Sequence, residues 1–286
     1  MTFLKKLGCA AAFALAAGSV QAETVMNGWT FNPNGGGQAA GKYVNEYLDV
    51  NGNAFIQITP TGGNSFSFTE HGAFNIVQAD GKGGLFPLNY AGGNISVMLS
   101  AYGTGTFNGA FTFTGGSVKM YQNPTNNQYA TRTGIYGANL GNLIGDFTVL
   151  AGGGGLVDAS GNPTGNGQVS IRAQAAVGGL KAGYFFADNG IDMSTVENTA
   201  FAFTNANTVG RPNGDLVKEI ACEFALYTGP GCGKKPNVGT YSNVAGSHFF
   251  VSNNGQFKFA DIPEPGSVAL FGIALLGFGA VRRRMK

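Results

Sequence analysis

The chain has 286 residues, with 17 Lys and Arg against 15 Asp and Glu, and charged residues make up only 11% of it. It has no basic stripe interleaved with aromatic residues, which argues against a nucleic-acid partner. The 48 Gly and 23 Phe residues instead favour an all-β chain with many turns and ample apolar area to bury.

The N-terminal 22 residues have the order of a secretory signal peptide. A charged start at Lys5 is followed by an uncharged apolar stretch over residues 7–17 and by small residues up to Ala22. This order predicts cleavage by signal peptidase between Ala22 and Glu23. The exported domain would then span residues 23–261, where 14 acidic residues outnumber 11 basic ones, so the mature chain is slightly acidic.

Strand signals recur along this domain. Apolar and polar side chains alternate, as in half-buried strands, over residues 54–59, 65–69, 95–101, 106–114, 168–175, 200–204, 247–251 and 256–260. Asn-Gly pairs at positions 51–52, 108–109 and 254–255 suit the positive φ angles of tight hairpins. The third pair predicts a hairpin in which residues 249–251 and 257–259 face each other.

These elements predict an antiparallel β-sandwich with one short helix. The aromatic alternation also resembles the strand pattern of an outer-membrane barrel. Such barrels normally end on a C-terminal strand in the outer membrane, whereas this chain ends in a predicted inner-membrane helix. The sandwich is therefore the favoured architecture.

Acidic residues and histidines are the candidates for catalysis. Glu70 and His71 would make an acid–base pair, but adjacent residues of a strand point to opposite faces. His248 also lies beside strand-like residues, and a hydrolase would have to use scattered acids such as Glu46, Glu70 and Asp80. No G-x-S-x-G, H-E-x-x-H or P-loop pattern occurs. We therefore expect neither a catalytic site nor a cofactor.

Two segments offer oxygen ligands for calcium. Residues 49–53 and 188–192 are rich in Asp and Asn, yet neither has the spacing of an EF-hand loop. A hairpin turn accounts for the first segment. For the second, calcium binding by Asp188 and Asp192 stays open, and no metal site is predicted.

One helix and one disulfide are predicted near the C-terminal end of the domain. Residues 215–227 have apolar side chains at helical spacing, and Asn213 or Asp215 can cap the helix. Cys222 and Cys232 are the two cysteines that remain after removal of the signal peptide. An even count in an oxidising compartment predicts that they form a disulfide between the helix and the following loop.

The last 25 residues contain three elements in a fixed order. They are Pro263-Glu264-Pro265, an apolar run over residues 267–281, and the cluster Arg282, Arg283 and Arg284. As a helix the apolar run is shorter than the ~30 Å hydrocarbon core, but flanking arginines can reach the interface. The arginines are expected to stay cytoplasmic by the positive-inside rule.

This end of the chain resembles the PEP-CTERM sorting signal, in which a Pro-Glu-Pro motif precedes a short transmembrane helix and an arginine cluster. The resemblance covers residues 262–286. It implies transient anchoring in the inner membrane, processing by an exosortase, and transfer to the cell surface or extracellular matrix.

A second resemblance concerns the exported domain. Residues 28–33, residues 43–49 and the helix with Cys222 and Cys232 look like the flocculation-associated PEP-CTERM proteins. The resemblance implies a surface protein, not an enzyme, that associates with extracellular polysaccharide and promotes flocculation or biofilm formation. A carbohydrate-binding, lectin-like module and a secreted hydrolase are the alternatives.

Overall fold

The computed structural model describes residues 24–81, 84–87, 94–123, 129–233 and 240–260, with backbone alone for 84–87. Thirteen strands are formed by these residues. They are β1 (Trp29–Phe31), β2 (Lys42–Val44), β3 (Tyr47–Gly62), β4 (Ser65–Gly81), β5 (Gly84–Pro87), β6 (Asn94–Thr106), β7 (Ala110–Asn123), β8 (Asn142–Val149), β9 (Gly152–Val157), β10 (Pro163–Ala175), β11 (Phe185–Ala187), β12 (Asn198–Thr208) and β13 (His248–Phe259). Gln38–Ala40 and Met193–Thr195 form short 3₁₀ helices.

Eight of the strands close into an antiparallel barrel. Their order is β12-β13-β3-β4-β6-β7-β8-β10, and β10 pairs again with β12 from Gln168↔Asn205 to Ala175↔Asn198. The prediction of an all-β, antiparallel domain is confirmed, but the predicted sandwich is wrong. Alternation along a strand assigns side chains to two faces equally in either architecture, so it does not show whether the last strand pairs with the first.

The barrel wall between β7 and β10 is shared by two short strands. β8 pairs with one half of β7, over Ser117–Gln122, and β9 pairs with the other half, over Ala110–Phe113. Both strands also pair with β10. Four consecutive glycines open β9, and because glycine has no strand propensity, the sequence contains no signal for this strand.

The barrel interior holds the main core. Inward side chains that are almost fully buried include Phe66, Phe68, Phe113, Phe147, Phe249 and Phe257. One end is closed by the three-stranded sheet β11-β1-β2, whose Trp29 ring lies 5.1 Å from that of Phe259. Trp29 and Phe259 have no exposed surface, so the cap and the barrel share one aromatic core.

Only one of the three Asn-Gly pairs makes the predicted hairpin turn. Asn108-Gly109 connects β6 to β7, and Asn108 has a φ of 54°. Asn51-Gly52 lies inside β3, and Asn254-Gly255 lies inside β13. The hairpin predicted across Asn254-Gly255 is therefore wrong, since residues 249–251 and 257–259 belong to one continuous strand.

The glycines of the two misassigned pairs allow neighbouring strands to approach closely. A Cβ atom on Gly255 would collide with the backbone of Phe203 and Thr204, and one on Gly52 would collide with the carbonyl oxygen of Ala73. A glycine inside a strand commonly marks such an approach or a bend of a barrel wall. The same Asn-Gly dipeptide thus forms a turn in one place and lies within a curved strand in another.

A second core lies outside the barrel, beneath a nine-residue π-helix, Leu216–Phe224. The helix lies within the predicted segment and is shorter, and the backbone N–H of Leu216 donates to Asn213 Oδ1 at 2.9 Å, so Asn213 is the cap. Its buried face packs against Phe55 of β3 and Phe250 of β13. The helix therefore covers part of the outer wall.

The structure contains the predicted bond between Cys222 and Cys232, whose Cα atoms lie 5.3 Å apart. It joins the helix to the loop that follows. Within the described ranges, no helix has the length and apolar character needed to cross a membrane. The predicted signal peptide and the predicted helix over residues 267–281 lie outside those ranges.

Candidate functional site

Two aligned rows of side chains face outward on strands β10, β12, β13 and β3. Cross-strand pairing places Gln168, Asn205, Asn254 and Asn51 in the first row, and Ser170, Phe203, Gln256 and Asp49 in the second. Every second residue of a strand faces outward, and the register aligns the strands. Residues distant in sequence therefore form one continuous surface.

Apart from Asn51, the side chains of the two rows form the floor of an open groove of about 730 Å³. The β9–β10 hairpin forms one wall, with Leu156, Thr164 and Gly165. Leu156 and Phe203 are large apolar side chains that remain 53% and 49% exposed. The groove therefore combines apolar contact area with a polar floor.

The amides of the first row are available to a ligand. Within the described part of the chain, the side chains of Gln168, Asn205 and Asn254 make no hydrogen bond. Each amide offers two N–H donors and a carbonyl acceptor, the combination that matches hydroxyl groups. An exposed aromatic ring beside them can pack on the C–H face of a sugar ring.

The charged groups of Asp49 and Lys258 at the edge of the groove both have partners. Gln78 Nε2 donates to Asp49 Oδ2, and the Lys258 ammonium forms an ion pair with Glu46. The same ammonium lies 5.5 Å from the centre of the Tyr47 ring and 5.9 Å from that of Phe203. The groove therefore offers a polar surface without a strong field of one sign.

The candidate catalytic residues do not converge. Glu70 faces the barrel interior, whereas His71 lies on the outer side with its ring 4.9 Å from that of Phe224. They face opposite sides of β4, as the strand geometry predicts. Glu46 pairs with Lys258 on the outside, and Asn45 donates to Asp80 at 3.3 Å.

Both histidines are held in the outer core. Burial lowers the pKa of His71 and of His248. The Nε2 atom of His248 shares a hydrogen bond of 2.9 Å with the Tyr227 hydroxyl, and its Nδ1 lies 3.1 Å from Ser247 Oγ. These contacts join β13 to the chain that leaves the helix.

Hydrogen bonds from nearby backbone N–H groups fix the Asp192 side chain of the segment 188–192. Asp192 accepts hydrogen bonds from the N–H groups of Gly183 at 2.8 Å and Ser194 at 3.0 Å. Burial raises the pKa of Asp192, but these N–H donors outweigh it and hold the pKa below its usual value. Among the described residues, no group of three or more His, Cys, Asp or Glu side chains is close enough to hold a metal.

The two ends of the described domain meet at one pole of the barrel. Val25 pairs with Ala260, and the backbone N–H of Met26 donates to the carbonyl of Phe259 at 2.8 Å. The family model of the PEP-CTERM protein-sorting motif matches residues 261–284, directly after this pairing.

The chain therefore carries a PEP-CTERM protein-sorting motif. The motif implies export, processing by an exosortase and a transient C-terminal membrane anchor. All six residues assigned to sorting from the sequence lie inside the match: Pro263, Glu264, Pro265, Arg282, Arg283 and Arg284. No curated protein and no solved structure matches the chain.

The sequence alone does not identify the outer groove. Phe203 and Asn205 lie in a predicted strand and beside it, but alternation alone does not distinguish a ligand-facing polar row from an ordinary solvated one. The missing information is the register, because the rows exist only after four strands have paired.

Proposed function

We propose that the exported barrel binds extracellular polysaccharide through the outer groove and thereby promotes flocculation or biofilm formation. The observation that carries this proposal is the groove floor, where unpaired amides lie beside the exposed Phe203 ring. Pyranose rings present hydroxyl groups at their edges and C–H groups on their faces. Amides suit the former and an aromatic ring the latter.

The arrangement of the outer wall supports this assignment. The π-helix covers Phe55 and Phe250 on β3 and β13, and leaves Asn51 and Asn254 exposed on the same strands. One part of the wall is thus buried by the chain itself, while another part stays open. The PEP-CTERM motif implies export, which brings this open part to the side where extracellular polysaccharide lies.

Binding without hydrolysis is the preferred form of this proposal. Glu70 lies inside the barrel and Glu46 is engaged by Lys258, so these acids do not flank a shared position in the groove. A glycosidase needs two carboxyl groups on either side of one bond. The separation of these acids favours a binding protein over the secreted hydrolase.

A lectin-like module with a defined sugar preference is the second candidate. Its specific support is the size of the open groove, about 730 Å³, which lies in the volume range of small-molecule binding sites. A glycan array with the exported protein separates the candidates. A lectin binds one sugar class at low concentration, whereas a matrix-associated protein binds the polymer with little preference among oligosaccharides.

The groove is tested with Phe203→Ala in the mature protein isolated from the producing cells. We expect binding to the purified exopolysaccharide, measured by co-sedimentation, to weaken about tenfold, the effect of losing ~1.4 kcal/mol of contact. Tyr102→Ala is the matched control, because Tyr102 is also exposed, at 53%, and lies on β6 across the barrel.

The cellular role is tested by deleting the gene and restoring it as wild type, Phe203→Ala or Tyr102→Ala. Flocculation of washed cells should be lost on deletion, restored by wild type and Tyr102→Ala, and restored weakly by Phe203→Ala. Unchanged flocculation after deletion contradicts the proposed role. Undiminished polymer binding by Phe203→Ala contradicts the proposed groove.

A further inference from the structure

The barrel interior contains two cavities, of about 40 and 70 Å³. Both are lined by Glu70, Val169, Thr204 and Asn253. The first cavity extends from these residues towards Phe66, Phe68 and Phe111, and the second towards Val97, Leu99 and Phe113. Besides the Thr204 hydroxyl, two polar side chains, Glu70 and Asn253, therefore lie where the two apolar cavities approach each other.

The polar groups at this place lack partners. Asn253 is 6% exposed and its Oδ1 atom accepts no hydrogen bond, while Glu70 is 7% exposed. Among the described residues that line the cavities, from β3, β4, β6, β7, β9, β10, β12 and β13, Glu70 is the only ionisable one. Burial raises the pKa of Glu70 to about 7.

An unpaired acid and an unpaired amide oxygen are costly in an apolar interior. Replacing them with apolar side chains would remove that cost, and the neighbouring positions show that such side chains fit here. A ligand that forms hydrogen bonds with Glu70 and Asn253 would explain why these polar side chains are present in the interior. Both groups accept hydrogen bonds when Glu70 is ionised, so the complementary ligand carries several donors and a positive charge.

We propose that the barrel interior binds a small primary ammonium ion with a short apolar body. The ammonium group donates to the Glu70 carboxylate and to Asn253 Oδ1, since it has three N–H donors and no acceptor. The apolar body lies among Phe66, Phe68 and Phe111. Because a cavity of roughly 150 Å³ holds benzene, cavities of about 40 and 70 Å³ limit the apolar body to about one carbon atom.

A ligand would enter the interior from the end of the barrel opposite the aromatic cap. One end is filled by the aromatic cap that contains Trp29. At the first cavity, Gly161 lies in the connection between β9 and β10, and Pro163 is the first residue of β10. The carboxylate of Asp158 accepts from the N–H groups of Ser160 at 2.7 Å and Asn162 at 2.9 Å, and these bonds shape the connection over the cavity.

The test uses methylamine with the mature protein at pH 8, where Glu70 is ionised and the amine is protonated. We expect a saturable increase in the thermal denaturation midpoint and a heat of binding by titration calorimetry. Equal concentrations of methanol and formate should give neither, because methanol has no charge and formate brings another anion. Affinity should fall about tenfold per pH unit below pH 7 as Glu70 takes up a proton.

Two variants locate the site. Glu70→Gln should abolish the response to methylamine, whereas Glu197→Gln, at an exposed acid that accepts from Gln174 at 2.6 Å, should retain it. Ala206→Val adds two methyl groups at the first cavity and should weaken binding at least tenfold with Glu70 unchanged. It also provides a readout if Glu70→Gln does not fold.

The proposal is overturned by any of three results. These are no response to methylamine, an equal response to methanol or formate, and an undiminished response in Glu70→Gln or Ala206→Val. None of these results bears on the outer groove, whose ligand and variants are different.

Discussion

Asn253 and Asn254 are neighbours in β13, yet they belong to two different environments. Asn253 points into the barrel, is 6% exposed and has an unpartnered Oδ1 atom. Asn254 points outward into the open groove beside Asn205. The residue type is the same, so the face of the strand decides the chemistry. Inside, a polar side chain needs a partner of its own; outside, water or a ligand supplies one.

The inner and outer faces of the barrel wall should differ most in how much free energy of unfolding is lost when a large side chain is removed. Phe259→Ala removes an inward ring that has no exposed surface and contacts Trp29 and Phe185. We expect it to lower the free energy of unfolding by about 3–5 kcal/mol, measured by denaturant unfolding. Phe203→Ala, on the outer face, should cost less than about 1 kcal/mol. Similar losses in both variants would contradict the assignment of faces.

The next difference is the response of stability to pH. The pKa of Glu70 is raised from 4.5 to about 7 by burial, so between these values the folded protein holds a proton that the unfolded chain releases. Stability should therefore fall as pH rises through this window, by roughly 3 kcal/mol in total, and level off above pH 7.

Glu70→Gln tests this dependence. The variant should lose the decline and be more stable than wild type at pH 8 in the absence of amines. Asp49→Asn, a matched change on the outer face, should keep the wild-type decline because Glu70 is still present. Unfolding curves between pH 4.5 and pH 8 measure both. A Glu70→Gln variant with the wild-type pH profile would show that Glu70 is not in the apolar interior.

The smallest expected effect on stability is that of replacing a glycine in a strand that lies close to its neighbour. Gly255→Ala places a methyl group against the backbone of Phe203 and Thr204 and should lower the free energy of unfolding by about 1–3 kcal/mol. Gly210→Ala has open space around it and no positive φ, so it should change stability by less than ~1 kcal/mol. A Gly255→Ala barrel as stable as wild type would mean that the strands are not held as close as the structure has them.

Much of the local structure can be predicted from the sequence, whereas features that depend on pairing between distant strands cannot. The Asn213 side chain lies in range to cap the helix, and the two cysteines lie ten positions apart in a loop that brings them together. Both relationships are short in sequence. By contrast, the turn signal at Asn254-Gly255 is overridden by long-range pairing of β13 with β3 and β12.

By itself, the sequence determined the all-β class, most of the longer strands, the helix, the cysteine pair and the PEP-CTERM motif at residues 261–284. Each depends on nearby residues, through side-chain periodicity, capping or a contiguous motif. Only the tertiary structure decided the closure of β10 on β12, the inward position of Glu70 beside Asn253 and the outer rows around Phe203. These features depend on the register between distant strands, and a shift of one residue would exchange the two faces.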